Sequence, residues 1–137
     1  MAKPQRVIYF KASIEDKPGA LLSIAKDLKS KNLGLVGFLG YGTAPGRAED
    51  YVIPKNTDKL RDAWKASGIT FEEGTGFFLK GADKTGVLVK SLEAIAQAGI
   101  NIVGISAIAV KGQYGSFLWV AQSDVEKTAQ ALGLNLK

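Results

Sequence analysis

The chain repeats itself. An offset of 67 residues carries Asp16 onto Asp83, Gly19 onto Gly86, Leu28 onto Ile95, Leu33 onto Ile100, Val36 onto Val103 and Gly37 onto Gly104. The same offset carries Tyr51-Val52-Ile53 onto Leu118-Trp119-Val120, then slips to 65 and brings Gly68 onto Gly133. This self-similarity restricts the fold more than composition does, because whatever one unit forms its twin forms too. A unit of about 67 residues is marginal alone and gains by packing on its twin.

Each unit reads β-α-β-β-α-β. In the first, Arg6 to Ile14 is a strand rich in β-formers, and Pro18 and Gly19 mark a turn. Ala20 to Lys31 is a helix, with Leu21, Ile24, Ala25 and Leu28 at helical spacing. Leu33 to Tyr41 and Glu49 to Ile53 are strands joined through Thr43-Ala44-Pro45-Gly46. Thr57 to Ser67 is a second helix, with Asn56 or Thr57 as N-cap, Gly68 at its stop and Trp64 on its core face. Ile69 to Glu73 closes the unit. The second unit repeats the order as Phe77–Gly81, Val87–Ala98, Ile100–Val110, Ser116–Val120, Asp124–Leu132 and a short last strand at Leu134–Leu136.

The expected fold class is therefore α+β: two ferredoxin-like βαββαβ units in tandem, with antiparallel sheets and the helices on one face. The units are expected over 1–74 and 75–137, the second with a shorter last strand, joined by the linker Gly74-Thr75-Gly76. In such a unit the second strand lies at a sheet edge. Leu33 to Tyr41 and Ile100 to Ile108 carry neither the charge nor the proline that normally guards an exposed edge. This predicts that the second strands pair, with each other or across a dimer, into one eight-stranded sheet.

Composition narrows the chemistry. The chain has no cysteine and no histidine, so disulfides, thiol chemistry and the commonest general base are all missing. Nucleophile-elbow and phosphate-loop motifs are absent as well. Glu49-Asp50 and Glu72-Glu73 are neighbours on strands and point to opposite faces. The reading is a protein that is not an enzyme and has no cofactor and no metal.

The net charge of +5 is spread, with 12 basic and 9 acidic residues over 1–74 and 6 and 4 over 75–137. A spread excess reads as a solvated surface rather than a nucleic-acid footprint. The alternative function is RNA binding on the helix-free face of the second repeat. There Phe78, Lys80, Phe117 and Trp119 gather, beside a weak third-strand box in Lys111 to Val120. The matching positions in the first repeat are taken as Lys11, Ser13, Asp50 and Val52, which include an acid and no aromatic. The Phe117–Trp119 face is therefore expected to be a dimer contact. No stretch approaches the ~20 apolar residues of a membrane span, and the first apolar run is too short for a signal-peptide core. The expected setting is the cytoplasm, away from membranes.

The two turns are the candidate sites. Asp16-Lys17-Pro18-Gly19 and Asp83-Lys84-Thr85-Gly86 each lead a strand into a helix N-terminus. Free N–H groups and the positive end of the helix dipole collect there and can hold a carboxylate or phosphate. The first turn, with Leu21 and Leu22 following, resembles the strand-to-helix signature of the ACT domain family. Ala98-Gly99-Ile100-Asn101-Ile102 resembles the entry to that family's second strand. The resemblance covers nearly the whole chain as two tandem copies.

It implies a regulatory module that binds a small amino acid where two modules meet through their second strands, acting as an allosteric effector site. One such seam joins Asp16, Lys17, Pro18, Gly19 and Ala20 to Asn101 and Ile102; the other joins Asp83, Lys84, Thr85, Gly86 and Val87 to Gly34 and Leu35. The first is favoured, because Asn101 matches a polar ligand-holding position whose twin is Gly34, and because Thr85 replaces the family's proline. The implied partners are an amino acid effector, a second copy in a homodimer and a regulated enzyme.

Overall fold

The computed structural model describes residues 3–134. Over the described residues the chain is α+β, with six strands and four α-helices: β1 (Lys3–Glu15), α1 (Ala20–Ser30), β2 (Leu35–Ala44), β3 (Arg47–Pro54), α2 (Thr57–Ala66), β4 (Phe71–Ala82), α3 (Val89–Gln97), β5 (Ile102–Val110), β6 (Gln113–Val120) and α4 (Val125–Ala131). Contacts divide it into two bodies. One is Ile8–Gly74; the other combines the N-terminal residues up to Val7 with the chain from Thr75 onward.

In the body of 8–74 the strand order is β2-β3-β1-β4, the ferredoxin-like order. β1 and β2 both pair antiparallel with β3, through Phe10↔Val52 and Phe38↔Val52. Its core is Phe10, Ala12, Leu28, Leu33, Val52, Leu60 and Trp64. The Phe10 and Trp64 rings meet edge to face at 6.0 Å, and Phe71 lies 5.8 Å from Trp64. Asn56 caps α2 by accepting from the Lys59 N–H at 3.1 Å. Gly68 stops the helix at φ 73°, letting the Ile69 N–H reach back to the Trp64 carbonyl at 3.0 Å.

In the other body the order is β1-β4-β6-β5. Its core is built by Phe77, Leu79, Ile95, Leu118 and Val120, with Val125 and Ala129 of α4 and Leu132 just past its end closing it. The fourth-strand position is filled by Lys3–Val7, the first part of β1. The sequence places these residues with 1–74 and the last strand at Leu134–Leu136. Leu134 is not in a strand, and the rest of that segment lies outside the described residues.

The expected count of eight strands becomes six for a second reason. Ile69–Glu73, the supposed linker and Phe77–Gly81 merge into the single twelve-residue β4. Gly74-Thr75-Gly76 is thus strand rather than linker. Among the described residues β2 and β5 are terminal in the strand order, and each pairs on one side only, with β3 and β6 respectively. The eight-stranded sheet joined through the second strands is not formed within the single chain.

The repeat offset also shifts. Phe10↔Val52 in one body corresponds to Phe77↔Leu118 in the other, and Gly37↔Ile53 corresponds to Gly104↔Trp119. The third strands therefore match at 66 residues, pairing Tyr51-Val52-Ile53 with Phe117-Leu118-Trp119. The cause is one extra residue at Thr43, where the β2–β3 register shifts; the β5–β6 hairpin has no such shift near its turn.

If Lys3–Val7 supplies the fourth strand of the second body, deleting residues 1–7 should expose β4 from Phe77 to Leu79. Amide exchange there is expected to rise well above that at Val52. Unchanged protection at Phe77 and Leu79 would refute the assignment.

Candidate functional site

The first turn opens where β1 ends. The Asp16 N–H donates to the Gly46 carbonyl at 3.0 Å, which ties the turn to the β2–β3 hairpin. Gly19 stands at the cap of α1 with φ 87°, a left-handed conformation that favours glycine, and offers no side chain to the helix end. The Ala20 N–H reaches the Lys17 carbonyl at 3.2 Å, and the Ser23 N–H reaches the Gly19 carbonyl at 2.9 Å. The N–H groups of Leu21 and Leu22 have no partner among the described residues. No acid sits in the first turn to offset the dipole.

Beside this helix end is an open hollow of about 600 Å³. Ser13, Ile14 and Glu15 of β1, Lys17, Pro18 and Gly19 of the turn, Ala20, Ser23 and Ile24 of α1, and Arg47 of β3 line it. Arg47 donates to Ser13 Oγ at 2.7 Å, which fixes its guanidinium at the rim. Lys17 lies 3.4 Å from Glu15 with both side chains mostly exposed, so the pair holds neither firmly. Two cations and an open helix end suit a carboxylate or another small anion.

Of the residues expected at the favoured seam, Lys17, Pro18, Gly19 and Ala20 line the hollow. Asp16 does not. Its carboxylate turns toward β2, where a Cβ on Gly42 would stand 3.1 Å from Asp16 Oδ2. Asn101 lies in the other body, exposed just before β5, and Ile102 pairs with Val120 against that body's core.

The second turn is built differently. The Asp83 N–H donates to the Gly112 carbonyl at 2.8 Å, and the Val87 N–H to the Lys84 carbonyl at 3.0 Å, as in the first copy. The Val89 N–H then closes a tight turn onto the Gly86 carbonyl at 3.0 Å, and Leu88 packs on the core. α3 consequently starts at Val89 rather than Val87. Thr85 stands in this turn, Gly34 spends its carbonyl on the Lys55 N–H at 2.9 Å, and Leu35 pairs with Pro54. Sequence reasoning missed Ser13, Glu15, Ser23 and Arg47. The signal for Arg47 is the strand register, which sets it opposite Glu15.

The helix-free faces carry aromatic rings, and the shifted register changes which residues they are. In the first body these are Tyr9, Tyr41 and Tyr51, with centroids of 5.2 Å for Tyr9–Tyr51 and 6.2 Å for Tyr41–Tyr51. The expected positions Asp50 and Val52 lie instead on the helix side. In the second body Phe117 stacks on Trp119 at 5.1 Å and meets Phe78 at 5.8 Å, as the alternation predicts. Phe117 and Trp119 are 6% and 5% exposed within the single chain. They offer no surface for stacking bases or for a dimer, and both of those expectations fall.

Among the described residues no three His, Cys, Asp or Glu side chains converge as a metal site, and no helix is long and apolar enough to cross a membrane.

Asp50 is the unusual carboxyl. It is 2% exposed, its Oδ2 has no partner among the described residues, and burial pushes its pKa up from the ordinary 3.8. Above 3.8 the folded chain keeps a proton that the unfolded chain releases. Stability is therefore fullest at low pH and falls as pH rises through that window. Asp50→Asn is expected to raise the melting temperature at pH 7 by a few degrees, the scale of ~1 kcal/mol in a chain this size. The gain should shrink as pH falls toward 3.8. A variant less stable than the parent at pH 7 would refute this account.

No protein-family model matches the chain, and no curated protein matches it either. Solved structures do. Protein BT0572 from Bacteroides thetaiotaomicron superposes with a TM-score of 0.81 at 18% identity, over 95% of this chain and 88% of that one. The ligand-free regulatory subunit of aspartate kinase from Thermus thermophilus gives 0.64 at 15% identity, over 99% and 97%. Aspartokinase III of E. coli, in complex with lysine and aspartate, gives 0.57 at 19% identity, over 96% of this chain and 31% of that one. At these identities the likeness is one of fold.

Proposed function

We propose that this chain, which has the ACT-type fold, is a non-catalytic regulatory protein that binds a small amino acid at its first turn. The observation that carries the reading is the hollow at the open end of α1, flanked by Lys17 and Arg47. An α-carboxylate set there meets the free N–H groups of Leu21 and Leu22 and two cations. Each favourable dipole contact is worth roughly 0.3–1 kcal/mol in an exposed setting.

The other half of the site comes from a second copy. β2 and β5 each have one free edge, uncharged and without proline. Pairing β2 of one copy with β5 of another continues the sheet and brings Asn101 and Ile102 of that copy to the first turn. Amino acid binding then changes association, and through it the activity of a partner enzyme. The fold is shared with aspartate kinase regulatory subunits, and the E. coli aspartokinase III structure was solved with lysine and aspartate. Those facts make amino acids the first ligands to try.

A thermal-shift screen of the twenty amino acids at millimolar concentration tests the reading. A ligand at about 100 times its Kd stabilises by ~2.7 kcal/mol, a readily measured shift. Arg47→Ala should weaken the response several-fold, and Asn101→Ala should weaken it more than Gly34→Ala. The reading fails if none of the twenty shifts the melt.

A further inference from the structure

β2 carries a side-chain-free track on its helix side. Gly40 pairs with Asp50 and Gly42 pairs with Ala48, so both glycines sit on the face that Val52 shares. They are two residues apart, about 7 Å along the strand. Two carboxylates lie over this track. Asp50 Oδ1 occupies the place that a Cβ on Gly40 would take, and Asp16 Oδ2 stands 3.1 Å from where a Cβ on Gly42 would be. Both glycines are exposed and belong to a strand whose outer edge is unpaired among the described residues.

Neither carboxylate has an ion-pair partner among the described residues, whereas nearby Glu15, Glu49 and Glu72 each face a lysine. In a chain of net charge +5 this is not for want of cations. Asp50 adds an independent sign of a missing partner: it is 98% buried, and its Oδ2 has no hydrogen bond. A buried carboxyl in that condition loses free energy that an incoming donor restores. The second body lacks the arrangement, having Ala107 opposite Ser116 where the first has Gly40 opposite Asp50.

We propose that Asp50 and Asp16, over the bare backbone of Gly40 and Gly42, form a subsite for a primary ammonium group. An ammonium brings three donors on a compact head, which suits two carboxylates and an edge-strand carbonyl. A divalent metal is a poorer match, since calcium needs six to eight oxygens and no three acidic side chains converge here. The glycines matter because any side chain at 40 would take the space that the ammonium and the Asp50 carboxylate need. For the identity of the natural ligand, an amino acid, the proposal rests on the function proposed above; the subsite itself does not.

The test follows amide shifts of the full chain by NMR during titration with methylammonium chloride, with tetramethylammonium chloride as control. Methylammonium should shift Gly40, Gly42 and Asp50 saturably, and tetramethylammonium, which has no N–H, should not. Asp50→Asn should weaken methylammonium binding by about tenfold or more, on the scale of one charge-assisted hydrogen bond. Asp16→Asn, at an exposed position that leaves the core intact, should weaken it several-fold, and Ser116→Ala should change nothing. Equal shifts with both cations, no shift at Gly40 and Gly42, or full binding by both Asn variants would each overturn the proposal. Methylammonium shifts without any amino acid response would instead leave the subsite standing and remove the amino acid reading.

Discussion

The structure depends on β4 running unbroken through Gly74-Thr75-Gly76. Both glycines are required by rings. A Cβ on Gly74 would collide with the hydroxyl end of the Tyr9 ring, and one on Gly76 would lie 2.7 Å from Phe117 Cε1. Glycine in a strand usually weakens it, yet here it admits the close approach of an aromatic neighbour. The segment therefore stays extended instead of turning. One strand then serves both bodies, and β1, divided at Val7, does the same from the other end of the sequence.

Which face a side chain takes follows from a smaller event. One added residue at Thr43 moves the third strands from an offset of 67 to 66. Because strand side chains alternate, a single-residue slip exchanges the two faces. Tyr51 rather than Val52 becomes the counterpart of Phe117, and Asp50 is carried to the helix side. The buried acid and the aromatic character of the first body's open face both come from this bulge.

The two turns show how similar sequences reach unequal ends. Each anchors its acid's N–H to the neighbouring hairpin and each puts its glycine at positive φ. In the second copy the Val89 N–H is drawn onto Gly86 and Leu88 into the core, so the helix starts two residues further from its aspartate than in the first copy. In the first, Leu21 and Leu22 remain 51% and 57% exposed and their N–H groups stay open. Where the helix begins thus turns on where one leucine packs, a choice made by the core beneath it.

The β-α-β-β-α-β order of the first unit, the two turns, the Asn56 cap, the Gly68 stop and the core placing of Trp64 were all legible in the residues. Each rests on local rules: propensity, periodicity, and the glycine and capping chemistry of helix ends. Lys17, Pro18, Gly19 and Ala20 of the candidate site came from the same local grammar. The merging of two strands into β4, the use of Lys3–Val7 as a fourth strand, the arrival of Arg47 at the hollow and the burial of Asp50 were not legible. They are decided by strand register and by rings competing for space, which act between residues far apart in sequence. The sequence by itself determined where the helices and hairpins fall along the chain, because those energies lie within a few residues. The tertiary structure alone decided which strands pair and which side chains meet, because those energies exist only once distant segments are packed.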